Sequence, residues 1–246
     1  MSDFVDLHTH ILPGLDDGPL EINISNAMAR AWLADGVTKI FATPHGFSPS
    51  YHADPAVSQK ALLDLQTALV AQGIPLELQI GMEVRHHRDL LSHLEQGVAL
   101  CLGAKKVGPR FLLLEFPTRE WPSEANELIY ELRLREITPI IAHPERNLIA
   151  QKDDDKVAQA IEEGAWMQVT TGSITGEFGS LCQKLSRRWI GEGFVHLVAS
   201  DAHDPQIRKP GLQVSYDWIT KKWGYVNEAT RFVENAELVW QTSKLS

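Results

Sequence analysis

The chain has 246 residues, is 43% hydrophobic and sets 23 Lys and Arg against 32 Asp and Glu, a net charge of -9. This length suits one α/β domain spanning residues 1–246, and the acidic balance without a long basic run argues against a nucleic-acid reader or an anionic membrane partner. Two cysteines exclude a disulfide framework and fit a cytoplasmic protein, no apolar run reaches the roughly 20 residues needed to cross a bilayer, and residues 1–20 lack a signal-peptide pattern.

Phe4 to Leu7 reads as a strand entering a core, and it delivers His8-Thr9-His10, two imidazoles spaced to share one side. A Gly/Pro-rich loop with Asp16-Asp17-Gly18-Pro19 follows, then a helix over Glu21 to Ala34 stopped by Gly36. Val37 to Thr43 is a buried strand running into Pro44-His45, and 46–55 is a loop long enough to form a rim or lid. A helix over Ala56 to Gln72 leads to a strand, Leu76 to Ile80, that ends in Gly81-Met82-Glu83. Between Val84 and Lys106 the pattern predicts a short helix at Asp89 to Gln96 and a strand at Val98 to Leu102. Phe111 to Leu114 is an apolar strand ending in Glu115, followed by a helix over Trp121 to Glu136. Thr138 to Ala142 then delivers His143-Pro144-Glu145-Arg146. Further on come a helix at Asp153 to Glu163, a strand at Ala165 to Thr170 reaching Gly172-Ser173, a helix at Phe178 to Gly191 and a strand at Phe194 to Ala199 reaching Ser200-Asp201-Ala202-His203. Helices at Val214 to Lys222 and Asn227 to Val233 complete the chain. Strand and helix alternate about seven times, the pattern of a parallel sheet with covering helices, and polar groups at strand ends point to a barrel with its site at the C-terminal rim.

The strand ends supply His8, His10, Asp17, His45, Glu83, Glu115, His143, Asp201 and His203. Singly, each reads as readily as a loop histidine, a helix cap or a surface charge. As a set placed at the same end of strand after strand, they point to a shared site. Nine N/O ligands exceed what one tetrahedral ion uses, so the set suits two or three divalent ions; mixed His and carboxylate ligation fits manganese, iron, zinc or magnesium. Three dications (+6) against four carboxylates (-4) leave about +2 to be offset by hydroxide and a substrate anion. A metal lowers the pKa of its water towards about 7, which gives a nucleophile for phosphate-ester hydrolysis without a serine triad or cysteine. Arg146 and Arg208 stand where a phosphate clamp is wanted, since guanidinium donates in bidentate fashion. Thr171-Gly172-Ser173 offers backbone or hydroxyl donors to a substrate, whereas Arg85, Arg88 and Arg119 follow no pattern beyond a solvated face.

One rival motif runs from Cys182 to Arg188, which has the C-x5-R spacing of cysteine-dependent phosphatases. Such a loop needs backbone N–H groups wrapped around phosphate, usually with glycine; here the intervening residues have none and follow a helical pattern.

Together, Asp6-Leu7-His8-Thr9-His10-Ile11-Leu12-Pro13, Asp16-Asp17-Gly18, Ala42-Thr43-Pro44-His45, Leu113-Leu114-Glu115-Phe116-Pro117, Ile141-Ala142-His143-Pro144-Glu145-Arg146, Thr171-Gly172-Ser173 and Ala199-Ser200-Asp201-Ala202-His203 resemble the polymerase and histidinol phosphatase (PHP) superfamily. Within it, the chain is most similar to the bacterial manganese-dependent protein-tyrosine phosphatases of capsule and exopolysaccharide operons. The resemblance implies a distorted seven-stranded (β/α)7 barrel and a trinuclear site, with His8, His10, Glu83 and Asp201 serving one metal, Glu83, Glu115 and His143 a second, and Asp17, His45 and His203 a third. It implies that Arg146 and Arg208 hold the phosphate while a metal-bridging hydroxide attacks, with no phosphoenzyme. The implied partner is a phosphotyrosyl protein, a cognate bacterial tyrosine kinase, with homo-oligomerisation left open. The alternatives are a histidinol phosphatase or other small-molecule phosphomonoesterase, and a catalytically silent PHP module that binds a kinase or polymerase.

Overall fold

A computed structural model describes residues 4–104 and 106–244. Hydrophobic runs bounded by Gly, Pro and Asp become short parallel strands, and the amphipathic stretches between them become helices. In chain order these are β1 (Phe4–Thr9), α1 (Ile22–Ala34), β2 (Val37–Ala42), β3 (His45–Gly46), α2 (Pro55–Ala71), β4 (Glu77–Ile80), β5 (Glu83–Arg85), α3 (Leu90–Gln96) and β6 (Arg110–Glu115). Then follow α4 (Ala125–Leu134), β7 (Ile137–Ala142), α5 (Asp154–Glu162), β8 (Trp166–Thr170), α6 (Thr171–Thr175), α7 (Ser180–Glu192), β9 (Leu197–Ala199), α8 (Leu212–Asp217) and α9 (Val226–Lys244). One helix start shows the local chemistry plainly: Asp54 caps α2 through Oδ1, which accepts from the Ala56 and Val57 amides, and Pro55 occupies the first turn where no N–H is needed.

The strands form two parallel sheets, ordered β1-β2-β4 and β3-β5-β6-β7-β8-β9. Two residues, Thr43 and Pro44, separate β2 from β3, and Gly81 and Met82 separate β4 from β5, so the same two passes of chain serve both sheets. Backbone bonds also tie the end of β9 to the end of β1: the Asp201 amide donates to the His8 carbonyl and the His10 amide to the Ala202 carbonyl, both at 2.9 Å. Alternation along the strands splits the core in two. In β6, Leu112 and Leu114 join the larger cluster beside Met28, Trp32, Leu65 and Ile129 of the helices. Phe111 and Leu113 instead join Val5, Leu7, Phe41, Ile140 and Leu197 in a second cluster with Ala236, Val239 and Trp240 of α9. Glu115 continues the parity of Phe111 and Leu113.

Two expectations fail. Val98 to Leu102 is not a strand, because the Val98 and Ala99 amides both donate to the His93 carbonyl at the end of α3 and a single helical turn, Leu102–Ala104, follows. Gly103 makes that turn at φ +77°, and a Cβ there would lie 2.6 Å from the Ser243 Cβ of α9. The last helix is also far longer than Asn227 to Val233, running to Lys244, because Phe232, Ala236, Val239 and Trp240 extend its buried stripe at helical spacing.

If α9 completes the second cluster, Trp240→Ala removes a fully buried indole and costs about 3–5 kcal/mol in chemical denaturation. A loss below about 1 kcal/mol would contradict that packing.

Candidate metal centre

All nine strand-end residues converge. His8 lies in β1 and His10 just past it; His45 opens β3, Glu83 opens β5 and Glu115 closes β6; His143 follows β7, and Asp201 and His203 follow β9. Asp17 comes from the loop after β1 and is the most open of the set. Their donor atoms fall into four overlapping groups that could hold a metal: His10, Asp17, His45 and His203; His8, His10 and Asp201; His8, Glu83 and His143; and His45, Glu83 and Glu115. Glu83 takes part in two groups and touches the histidines of a third, with Oε2 2.8 Å from His45 Nδ1 and 3.4 Å from both His8 Nε2 and His10 Nε2, and Oε1 2.9 Å from His143 Nε2. His143 (φ +35°) and Asp201 (φ +53°) sit in left-handed backbone that non-glycine residues adopt at a cost, and both aim into the cluster from those bends.

Tautomers decide what this arrangement can bind. The Gln168 amide donates Nε2–H to the Val169 carbonyl, which leaves its Oε1 to accept from His8 Nδ1 at 3.0 Å. His10 Nδ1 likewise donates to Asp16 Oδ2 at 2.7 Å. Both imidazoles therefore carry their proton on Nδ1, and their Nε2 atoms meet at 3.2 Å with lone pairs facing. The nearest other atoms, Glu83 Oε2 and Asp201 Oδ1, are also electron-rich, at 3.3–3.4 Å. His203 repeats the pattern: Nδ1 donates to the Asp201 carbonyl at 2.9 Å, and Nε2 faces Asp17 Oδ1 at 3.1 Å. A buried set of converging lone pairs is stable only around positive charge, and the donor types are those of divalent transition ions.

The protonation equilibria respond to the same geometry. Burial opposes charge on His45, but Glu83 and Asp17 outweigh it and raise its pKa to about 10; His8 and His10 are raised as well, against burial, by Glu83 with Asp201 and by Asp16. Burial would raise Glu83 and Asp201, yet the surrounding imidazoles, and for Asp201 the two arginines, hold them well below the carboxylate range. Arg146 Nη1 and Arg208 Nη2 both reach Asp201 Oδ2, at 2.6 and 2.8 Å. About 30% of each arginine side chain is exposed, so the pair faces outward across the mouth of the cluster.

Sequence comparison follows this geometry closely: the family model for capsular polysaccharide synthesis, CpsB/CapC, matches residues 4–241. The chain belongs to the CpsB/CapC family. It is 35% identical over 235 residues to tyrosine-protein phosphatase YwqE of Bacillus subtilis, an alignment covering 96% of this chain and 91% of YwqE. It is 33% identical over 242 residues to the putative tyrosine-protein phosphatase CapC of Staphylococcus aureus, covering 98% and 93%. Among solved structures it superposes with TM-score 0.91 and 34% identity, covering 96% and 94%, on a chain from the study of YwqE and Streptococcus pneumoniae CpsB, described as unique metal-dependent tyrosine phosphatases. An organophosphorus hydrolase mutant from Deinococcus radiodurans shares only the fold, at TM-score 0.60 and 15% identity, covering 97% and 92%.

For this CpsB/CapC chain, residues outside the expected ligand set also shape the cluster; Asp6 and Asp16 lie in the motifs quoted above, whereas Gln168 does not. Gln168 and Asp16 orient His8 and His10; the one signal for Gln168 is a lone amide in the apolar run of β8. Asp6 Oδ1 accepts from the Ser200 amide and Oδ2 from Trp32 Nε1, which pins β1 to the end of β9 and to α1. Arg85, set aside as a surface charge, donates to Glu115 Oε2 at 3.2 Å. Ser173 is a correction in the other direction: it lies within α6, fully buried, and donates to Glu145 Oε1 at 2.6 Å, so it is not presented to a substrate. Tyr51, in the loop expected to form a rim, lies parallel to the His45 ring at 6.1 Å. Cys182 is buried on α7, and burial, then Glu145, push its thiol up, the reverse of what a nucleophilic cysteine needs. A cavity of about 300 Å³ beside Leu91, Cys101 and Ile137 shares no residue with the cluster.

Because the carboxylates around His8, His10 and His45 favour the protonated imidazoles, metal cations that occupy these groups displace protons at pH 7. Calorimetric titration of manganese into metal-free protein should show a heat that varies with buffer ionisation enthalpy, with affinity falling as pH drops. Binding without proton release would contradict the assignment.

Proposed function

We propose that this chain is a metal-dependent protein-tyrosine phosphatase, a phosphoric monoester hydrolase (EC 3.1.3.48) acting on a phosphotyrosyl protein. The observation that carries the reading is the convergence of Arg146 and Arg208 on Asp201 Oδ2 at the open side of the His and carboxylate cluster. We take the metal ligands to be His8, His10, Asp17, His45, Glu83, Glu115, His143, Asp201 and His203, holding two or three divalent ions, manganese first. Bound there, the ions supply Lewis-acid activation of water and offset the charge of the phosphate. The protein's part is positioning. Asp201 restrains both guanidinium groups from one oxygen, leaving their remaining N–H donors to take the phosphate oxygens in a fixed fork. Water's oxygen bonds to phosphorus as the bond from phosphorus to the tyrosyl oxygen breaks; one of the water's protons ends on the departing phenolate and the other stays on the phosphate, giving tyrosine and inorganic phosphate. A phenol of pKa about 10 leaves with far less protonation than an alcohol would need, which lowers the demand on any acid in the site.

The names of the relatives support this activity, and the family's tie to capsule synthesis supports a cognate bacterial tyrosine kinase as the physiological substrate. No helix among the described residues is long and apolar enough to cross a membrane. We also read the strands as seven passes of one domain closing into a distorted barrel, on the strength of the two shared passes and the Thr9 to Ala202 bridge. Turnover of a phosphotyrosyl peptide against histidinol phosphate by the manganese-loaded protein tests the reading, and a strong preference for histidinol phosphate would defeat the substrate assignment.

Two variants separate the site from its rival. Arg146→Ala should lower kcat/KM by about 10²-fold through loss of a charged donor to the phosphate. Cys182→Ser should leave it within about threefold, since a buried thiol of raised pKa is no nucleophile. A collapse of activity in the cysteine variant, with the fold intact, would reverse the assignment.

A further inference from the structure

Beside Arg208 and Asp201 a cavity of about 240 Å³ opens outward between the α6–α7 connection and the turn after β9, with Gly172, Phe178, Ile207 and Lys209 in its walls. Two of the residues that line it, Phe178 and Ile207, are large and apolar. Phe178 is a half-buried aromatic that joins neither core cluster. Its ring is held by Arg146, whose guanidinium carbon lies 4.6 Å from the ring centroid, and by Gly172, where a Cβ would come within 2.7 Å of the ring. Only glycine at 172 lets the ring sit so close to α6.

Ile207 is 81% exposed, among the most open large hydrophobic side chains of the described residues. Its exposure is enforced. Asp204 Oδ1 accepts from the Gln206 and Ile207 amides and Oδ2 from the Arg208 amide, while the His203 amide donates to the Arg208 carbonyl at 2.8 Å. This turn therefore turns Arg208 inward to Asp201 and sends its neighbour Ile207 to the rim.

Resting on the phosphatase reading above, we propose that Phe178 and Ile207 are specificity-determining residues, an apolar clamp that receives the aryl ring of phosphotyrosine while Arg146 and Arg208 hold its phosphate. The anion fixes one end of the ligand at the two arginines, and Asp201 and Arg208 themselves line the cavity, so a ring joined to that anion lies within reach of it. At about 240 Å³ the opening, which Thr171, Glu177 and Ser200 also line, has room for a phenyl ring and its attachment to a peptide. A seryl or threonyl phosphate has no ring to place there, so the clamp adds binding for aryl esters alone.

The test is calorimetric binding of phenylphosphonate and methylphosphonate to the manganese-loaded protein, in wild type, Ile207→Ser and Phe178→Leu. Wild type should prefer phenylphosphonate by about tenfold or more, from burial of one ring between two apolar walls. Each variant should cut that preference by about threefold or more and keep methylphosphonate affinity within about twofold. Ile207→Ser changes an exposed side chain and leaves folding intact, so the test survives a damaged Phe178 variant. Equal affinities in wild type, or a preference untouched by Ile207→Ser, would overturn the clamp. So would a parallel loss for both phosphonates in the Phe178 variant, because that pattern means Arg146 has merely lost its support. Turnover of a phosphotyrosyl peptide by wild type is measured alongside: its absence overturns the phosphatase reading, whereas an unchanged phosphonate ratio with turnover intact overturns the clamp alone.

Discussion

Two ring nitrogens, His8 Nε2 and His10 Nε2, face one another at 3.2 Å with their protons committed elsewhere, and the rest of the site is arranged around that opposition. Water cannot relieve it, because both side chains are fully buried and the next oxygens belong to Glu83 and Asp201. A positive charge, a proton in the metal-free protein or a metal ion in its place, turns the repulsion into binding. The Gln168 and Asp16 contacts matter as much as the proposed ligands, since a flipped tautomer would place a proton where the proposed cation would sit.

The fold supplies this arrangement at a distance from its main source of stability. Apolar residues alternate along the strands into two clusters, one under the helices and one shared with α9, and the residues of the cluster gather at or just beyond the strand ends. Buried carboxylates and strained backbone at His143 and Asp201 cost free energy, and the surrounding core offsets it. Asp6 links the two regions, because it joins β1, α1 and the turn carrying Asp201 through one buried carboxylate. A small shift of α1 would thus reach the ligand set through Trp32.

Much of this was legible before any coordinates. A His, Asp or Glu directly after an apolar run has no good bland explanation when the pattern recurs, and the parity that aims Phe111 and Leu113 inward aims Glu115 inward too. What stayed hidden depended on three dimensions or on a competing local bond. Val98 to Leu102 has strand-like residues, but its first amides are taken by the end of α3 and Gly103 turns the chain beneath α9. Ser173 looked available as a donor because sequence cannot show that Glu145 folds back beneath it. Arg85 looked solvated because its partner is thirty residues away. The stripe through Phe232, Ala236 and Trp240 was readable, and the true length of α9 could have been taken from it.

The central claim is that nine residues spread from position 8 to position 203 form one enclosure for several cations. Anomalous diffraction at the metal edge, on crystals of the manganese-loaded protein, tests it directly. The account predicts two or three peaks per chain, each within about 2.0–2.3 Å of a ring nitrogen among His8, His10, His45, His143 and His203, with Glu83 between neighbouring ions. Peaks confined to surface carboxylates, with His8 and His10 still facing one another across 3.2 Å and sharing a proton, would contradict it.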